Sequence, residues 1–213
     1  MGEMTANVKI CGITNFGDAI HAVDCGADAL GFNFYRQSQR FVTPESVSEI
    51  VRDLPQSVVK VGVFVNERIE QIAKIAAETK LDYIQLHGEE SPEFVDELRL
   101  NLGLPIIKAF RVSCKQVGDE IARYRVEGVL LDAHSTRDRG GTGETFDWEI
   151  ARMVTNIVPK TYLAGGLSAE NVADAIRIVK PYAVDACSLL ESEPGKKDRD
   201  KVARFIRTTK GTI

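Results

Sequence analysis

A chain of 213 residues with 27 Lys and Arg against 31 Asp and Glu carries a formal net charge of -4 and no clustered basic surface, which excludes nucleic acid as an expected partner. Hydrophobic residues make up 44%, enough for one large core, yet no apolar run reaches the ~20 residues that cross a bilayer, so no membrane association is expected. Cys11, Cys25, Cys114 and Cys187 form no CxxC pair, which argues against a zinc site, a redox motif or a disulfide framework.

The first residues, Met1 to Ala6, include Glu3 and lack both the basic start and the apolar stretch of a signal peptide; they read as a frayed start to a cytoplasmic protein. Eight apolar, β-rich segments follow, near Asn7–Cys11, Ala29–Phe34, Val58–Val65, Tyr83–Leu86, Pro105–Arg111, Gly128–Asp132, Thr161–Ala164 and Ala183–Cys187, each succeeded by a helical pattern. Apolar stripes at helical spacing stand out at Val47, Ile50, Val51 and Leu54, at Ile69, Ile72, Ala73 and Ala76, and at Val172, Ala175, Ile176 and Val179. Thr43-Pro44 and Ser91-Pro92 mark helix starts, because a hydroxyl accepts an orphan N–H there and proline suits the first turn. Eight strand-plus-helix units predict an α/β fold, a (β/α)8 TIM barrel forming a single domain over residues 1–213. The competitor, a doubly wound open sheet, loses ground because no G-x-G-x-x-G turn follows the first strand.

Strand alternation then sorts the polar residues. With Val8, Ile10, Ile84, Leu86 and Leu131 facing the helices, Lys9, Cys11, Gln85, His87, Lys108, Asp132 and Asp185 are expected inside the barrel. Buried charge needs a partner or a ligand, so Lys9 and Asp185 are expected to pair across the closing strands and the rest to form a substrate site. The segments Leu163–Ser168, with Gly165 and Gly166, and Asp185–Ser188 end the seventh and eighth strands, where this fold usually holds phosphate. Two adjacent glycines alone fit a tight turn equally well; their location carries the expectation.

The segments Lys9–Thr14, Gly26–Phe32, Val61–Asn66, Gln85–Gly88, Leu130–Asp132, Gly140–Gly143, Phe146–Trp148 and Ala164–Leu167 closely resemble the phosphoribosylanthranilate isomerase family, nearly end to end. The resemblance implies an Amadori rearrangement with no metal and no cofactor, by a monomer or homodimer. It also implies Cys11 as base and Asp132 as acid, the first needed as thiolate and the second protonated. Arg40 matches the family's arginine for the anthranilate carboxylate, with Arg36 beside it a solvated residue. Gly165, Gly166 and Ser188 match the phosphate site, and Asp185 and His87 count among the substrate contacts, although His87 fits a satisfied core histidine as well. The remaining cysteines are assigned no chemistry: Cys25 ends a helix, Cys114 begins one, and Cys187, though close to the phosphate loop, is assigned no proton to move.

Residues 137–145 lack the Gly-Lys-Ser/Thr ending of a P-loop and read as a flap over the ligand. Leu189 departs from the family's glycine after Ser188, so either the loop keeps an ordinary backbone conformation or phosphate affinity falls. Two alternatives stand: another phosphoribosyl-sugar isomerase, as in histidine synthesis, where two aspartates are usual, and a barrel that binds a phosphorylated ligand without turning it over.

Overall fold

Parallel strands that are apolar on both faces leave no face for solvent, and the eight segments answer this by closing into a ring. In the computed structural model, which describes residues 6–111, 117–132 and 148–211, the strands are β1 (Asn7–Cys11), β2 (Ala29–Asn33), β3 (Val59–Phe64), β4 (Tyr83–Leu86), β5 (Ile106–Arg111), β6 (Gly128–Asp132), β7 (Thr161–Ala164) and β8 (Ala183–Ala186). They pair in that order, and β8 returns to β1 in a register running from Asn7↔Ala183 to Ile10↔Ala186. The helices are α1 (Phe16–Asp24), α2 (Pro44–Arg52), α3 (Ile69–Thr79), α4 (Pro92–Leu102), α5 (Val117–Ile121), α6 (Trp148–Thr155), α7 (Val172–Val179) and α8 (Arg199–Lys210). The fold is a (β/α)8 barrel, with every predicted strand within a residue or two of its expected bounds.

Local chemistry explains the boundaries. Thr43 and Ser91 accept the N–H groups of Ser46 and Phe94, each at 3.3 Å, and Pro44 and Pro92 open their helices. Asn15 caps α1 reciprocally: its Oδ1 accepts from Asp18 N at 2.9 Å while its Nδ2 donates to Asp18 Oδ2 at 2.8 Å. Val47 and Ile50, Ile72 and Ala76, and Val172, Ala175, Ile176 and Val179 are all buried against the barrel wall. Each larger side chain among them removes enough apolar surface from water to contribute about 1.5–3 kcal/mol.

Inside the ring lies a separate, smaller cluster of Ala29, Val61, Ile107, Ala109, Leu130, Tyr162, Ala164 and Ala183. Since Ile107 and Ala109 belong to it, Lys108 points outward, contrary to the sequence expectation. Its Nζ lies 3.1 Å from Glu90 Oε2 and donates to Gly88 O at 2.7 Å, so the outer face satisfies it. Ala6, expected to fray, is 3% exposed and part of the core. Cys25 caps the end of α1 as expected; Cys114 and residues 137–145 lie outside the described residues.

After β8 the chain does not enter a helix directly. A single 3-10 turn, Ser188–Leu190, leads into a hairpin of β9 (Glu191–Glu193) and β10 (Lys196–Lys197) that turns at Gly195 (φ 82°). Lys197 N donates to Asp18 Oδ2 at 2.8 Å, fastening the hairpin to α1. Leu189 is absent from the residues with positive φ, so the 188–190 turn uses an ordinary backbone conformation, the first of the two options its presence had left open. No helix among the described residues is long and apolar enough to cross a membrane.

Candidate active site

At the C-terminal end of the strands a cavity of about 270 Å³ opens between the loops, and all eight residues singled out from the sequence line it: Cys11, Arg40, His87, Asp132, Gly165, Gly166, Asp185 and Ser188. Cys11 ends β1 and Asp132 ends β6, three strands apart around the ring. The position follows from parity, because alternate residues of each strand point inward and the last inward residue faces the mouth.

Lys9 and Asp185, directly paired in register, meet inside the barrel with Nζ 2.9 Å from Oδ1. Burial works against the Lys9 charge, but Asp185 and the Cys11 sulfur outweigh it and hold the ammonium above its ordinary range. Burial pushes the Asp185 carboxyl up to about 6, partly offset by Lys9. The predicted ion pair is therefore present, and Asp185, although it borders the cavity, has one oxygen committed to Lys9. Gly31 makes this arrangement possible: a Cβ there would come within 2.7 Å of Cys11 Sγ and 3.1 Å of Lys9 Nζ.

The Cys11 sulfur is held well below the ordinary thiol range. The largest cause is the neighbouring Cys187 thiol; burial opposes it, and the charges of Lys9 and Lys197 reinforce it. Cys187, expected to be inert, thus sits in the site. Gly12, at φ 74°, is fixed by the same crowding, since a Cβ would lie 2.8 Å from both Cys187 Sγ and Arg40 Cδ.

Arg40 reaches the cavity from the segment between β2 and α2 and grips Glu191 with two parallel bonds, Nε to Oε1 at 2.8 Å and Nη2 to Oε2 at 2.6 Å. Lys197 Nζ adds a third bond to Oε1 at 3.0 Å. Burial opposes the Glu191 charge, but these donors hold the carboxyl below the usual range. Arg36, by contrast, is exposed and lies over the Phe41 ring.

Across the cavity, Gln85 Nε2 donates to His87 Nδ1 at 2.9 Å, which leaves the ring proton on Nε2, 3.5 Å from Asp132 Oδ2. Among the described residues Gln85 Oε1 is the one buried side-chain oxygen or nitrogen without a hydrogen-bond partner. Gly165 and Gly166 take φ of 88° and 64°, a turn that other residues adopt only under strain. Asn171 clamps that turn, donating to Gly166 O at 2.8 Å and accepting from Ser168 N at 2.9 Å. Among the described residues no three His, Cys, Asp or Glu side chains converge in a way that suits a metal ion.

Sequence reasoning missed Glu191 and Lys197, and assigned no role to Cys187 at the end of the eighth strand. For the first two the available signal was Pro194-Gly195, a turn dipeptide between short polar runs, which announces a hairpin where a helix was expected.

The chain is similar to known proteins along its length. A family model described as N-(5'-phosphoribosyl)anthranilate isomerase matches residues 8–208. The isomerase of that name from Trichlorobacter lovleyi is 49% identical, with 97% of this chain and 98% of that protein aligned. Its counterpart from Geobacter sulfurreducens is 48% identical over 96% and 98%. The crystal structure of phosphoribosyl anthranilate isomerase from Thermotoga maritima superposes with a TM-score of 0.89 at 43% identity, covering 97% of this chain and 99% of that one. A structure of such an isomerase in complex with reduced 1-(o-carboxyphenylamino)-1-deoxyribulose 5-phosphate superposes with a TM-score of 0.87 at 41% identity, with the same coverage. The chain belongs to the N-(5'-phosphoribosyl)anthranilate isomerase family of tryptophan biosynthesis.

Proposed function

We propose that the chain converts N-(5-phosphoribosyl)anthranilate to 1-(2-carboxyphenylamino)-1-deoxyribulose 5-phosphate by an Amadori rearrangement, with Asp132 as general acid and Cys11 as general base. Asp132 donates a proton to the ribose ring oxygen as the ring opens to a Schiff base, and the Cys11 thiolate removes the proton from C2. The enolamine so formed tautomerises to the ketone. The observation that carries this reading is the shared cavity: a sulfur held below its ordinary range and a carboxyl face one space from strands three apart.

Recognition at the two ends of the substrate keeps the reacting carbons between those groups. The Gly165-Gly166 turn and Ser188 receive the phosphate through backbone N–H groups, without a lysine. Arg40 receives the anthranilate carboxylate; Glu191 uses two of its five N–H donors and leaves three. His87, fixed by Gln85, orients Asp132.

The test is to generate phosphoribosylanthranilate in situ and follow the loss of its fluorescence. Wild type is expected to turn it over, while Cys11→Ala and Asp132→Asn each lose about 10²–10⁴-fold in kcat. Near-normal turnover by either variant contradicts the role assigned to that residue, and a wild type that binds without turnover favours a ligand-binding barrel.

A further inference from the structure

Arg40 lines the cavity; Glu191, the carboxylate that grips it, is buried and does not. A guanidinium carries its five N–H groups in one plane. Nε–H and one Nη2–H form the side edge, the other Nη2–H and one Nη1–H form the end edge, and the last Nη1–H points back toward the stem. Glu191 takes the whole side edge, with Nε to Oε1 at 2.8 Å and Nη2 to Oε2 at 2.6 Å. The end edge, two parallel donors spaced for a second carboxylate, is the one Glu191 leaves over.

Both partners of this grip are held from behind. Arg40 N donates to Ser38 Oγ at 3.1 Å, and the arginine stem passes so close to Gly12 that a Cβ there would come within 2.8 Å of Cδ. Glu191 pairs directly with Lys197 across β9 and β10, and Lys197 Nζ reaches its Oε1 at 3.0 Å, with Cys187 Sγ 3.8 Å from the same oxygen. Lys201 Nζ, on α8, donates to Glu191 O at 2.9 Å. The three side chains Arg40, Lys197 and Glu191 bring two positive charges and one negative. Lys197 and Glu191 are 1% and 4% exposed and Arg40 24%, so the positive charge in excess lies on the member that faces the cavity. A ligand group with one negative charge and two coplanar oxygens completes the set, and an aryl carboxylate is such a group.

We propose that Glu191 is a positioning residue for recognition of the substrate's aryl carboxylate: by occupying the side edge of Arg40 it turns the end edge toward the cavity, and the β9–β10 hairpin thereby sets one end of the site. The inference rests on the reading of Arg40 as the partner of that carboxylate. Without Glu191 the guanidinium keeps both edges open on a stem free to turn, and an incoming carboxylate has to order it, at a cost in affinity and not in the chemical step.

The experiment compares wild type, Glu191→Gln, Arg40→Ala and the double variant, after thermal melts establish folding. It measures KM and kcat for phosphoribosylanthranilate generated in situ. It also measures calorimetric binding of reduced 1-(o-carboxyphenylamino)-1-deoxyribulose 5-phosphate and of its phenylamino counterpart, which lacks the carboxyl. Glu191→Gln keeps the volume but sets an N–H₂ group against an Arg40 donor. It is expected to raise KM about tenfold with kcat within about threefold, and to weaken the carboxylated ligand about tenfold while the phenylamino ligand changes less than about twofold. In the Arg40→Ala background the same substitution is expected to move KM less than about twofold, because its effect runs through Arg40. An unchanged KM in Glu191→Gln, equal weakening of both ligands, or an undiminished effect in the Arg40→Ala background overturns the proposal. If Glu191→Gln does not fold, Glu191→Gln/Lys197→Met removes one charge of each sign from the buried pair and carries the same expectations. Arg40→Ala with wild-type KM and ligand binding removes Arg40 from carboxylate recognition, and the proposal with it. An impaired Arg40→Ala beside a normal Glu191→Gln leaves Arg40 in its role and overturns the positioning alone.

Discussion

Two buried lysine–carboxylate pairs sit on opposite faces of the same sheet, and their surroundings separate chemistry from architecture. Lys9–Asp185 lies inside the ring at the β1–β8 seam, next to the Cys11 thiol. Lys108–Glu90 lies outside, where Glu90 also accepts the backbone N–H of Asn66 at 2.8 Å and of Gly88 at 3.1 Å, so the pair binds β5 to the segments after β3 and β4. Both remove charge from water and both recover that cost through geometry. The inner pair places a positive charge beside the sulfur proposed as base; the outer one fixes where two loops leave the barrel.

Breaking each pair separates these roles. Lys9→Met leaves Asp185 buried without its partner; the largest effect is expected here, a loss of about 3–5 kcal/mol in denaturant unfolding together with a fall of about a hundredfold or more in turnover per folded molecule. Wild-type turnover in that variant would remove Lys9 from the chemistry. Lys108→Met is expected to lose about 3 kcal/mol, softened by the backbone donors that Glu90 keeps, while kcat stays within about twofold. If its turnover fell as steeply as that of Lys9→Met, the division between inner and outer pairs would be wrong. The smallest effect is expected from Lys180→Gly. Lys180 ends α7 at φ 54°, a left-handed conformation that glycine takes without strain, so stability should rise by about 0.5–1 kcal/mol with activity unchanged. A destabilised Lys180→Gly protein would mean that the lysine side chain does more there than cap.

Lys108 also marks where the sequence stopped being readable. Strands β1 and β8 carry charged residues on one face only, so alternation assigned Lys9 and Asp185 correctly. In β5, Ile106, Ile107, Ala109 and Phe110 are buried on both faces, and alternation then gives no sign; a polar residue was placed inside by analogy, whereas Glu90 satisfies it outside. The eight cavity residues were legible because strand ends and motif matches coincide there. Glu191 and Lys197 were not, since their placement depends on a hairpin whose return brings distant side chains together, and strand and helix periodicity carry no record of that contact; Cys187, one residue past β8, was located by its strand but assigned no chemistry.

The account turns on Cys11 being ionised in the folded protein at neutral pH. A thiol whose pKa is depressed on folding contributes stability above the unfolded value near 8.5, and that contribution is lost as pH falls through the folded value. The direct measurement is the ultraviolet thiolate absorbance of wild type minus that of Cys11→Ser, recorded across pH. The difference is expected to show a single step well below about 8.5, already complete at neutral pH. A step at or above about 8.5 would leave the cavity without a base and contradict the mechanism.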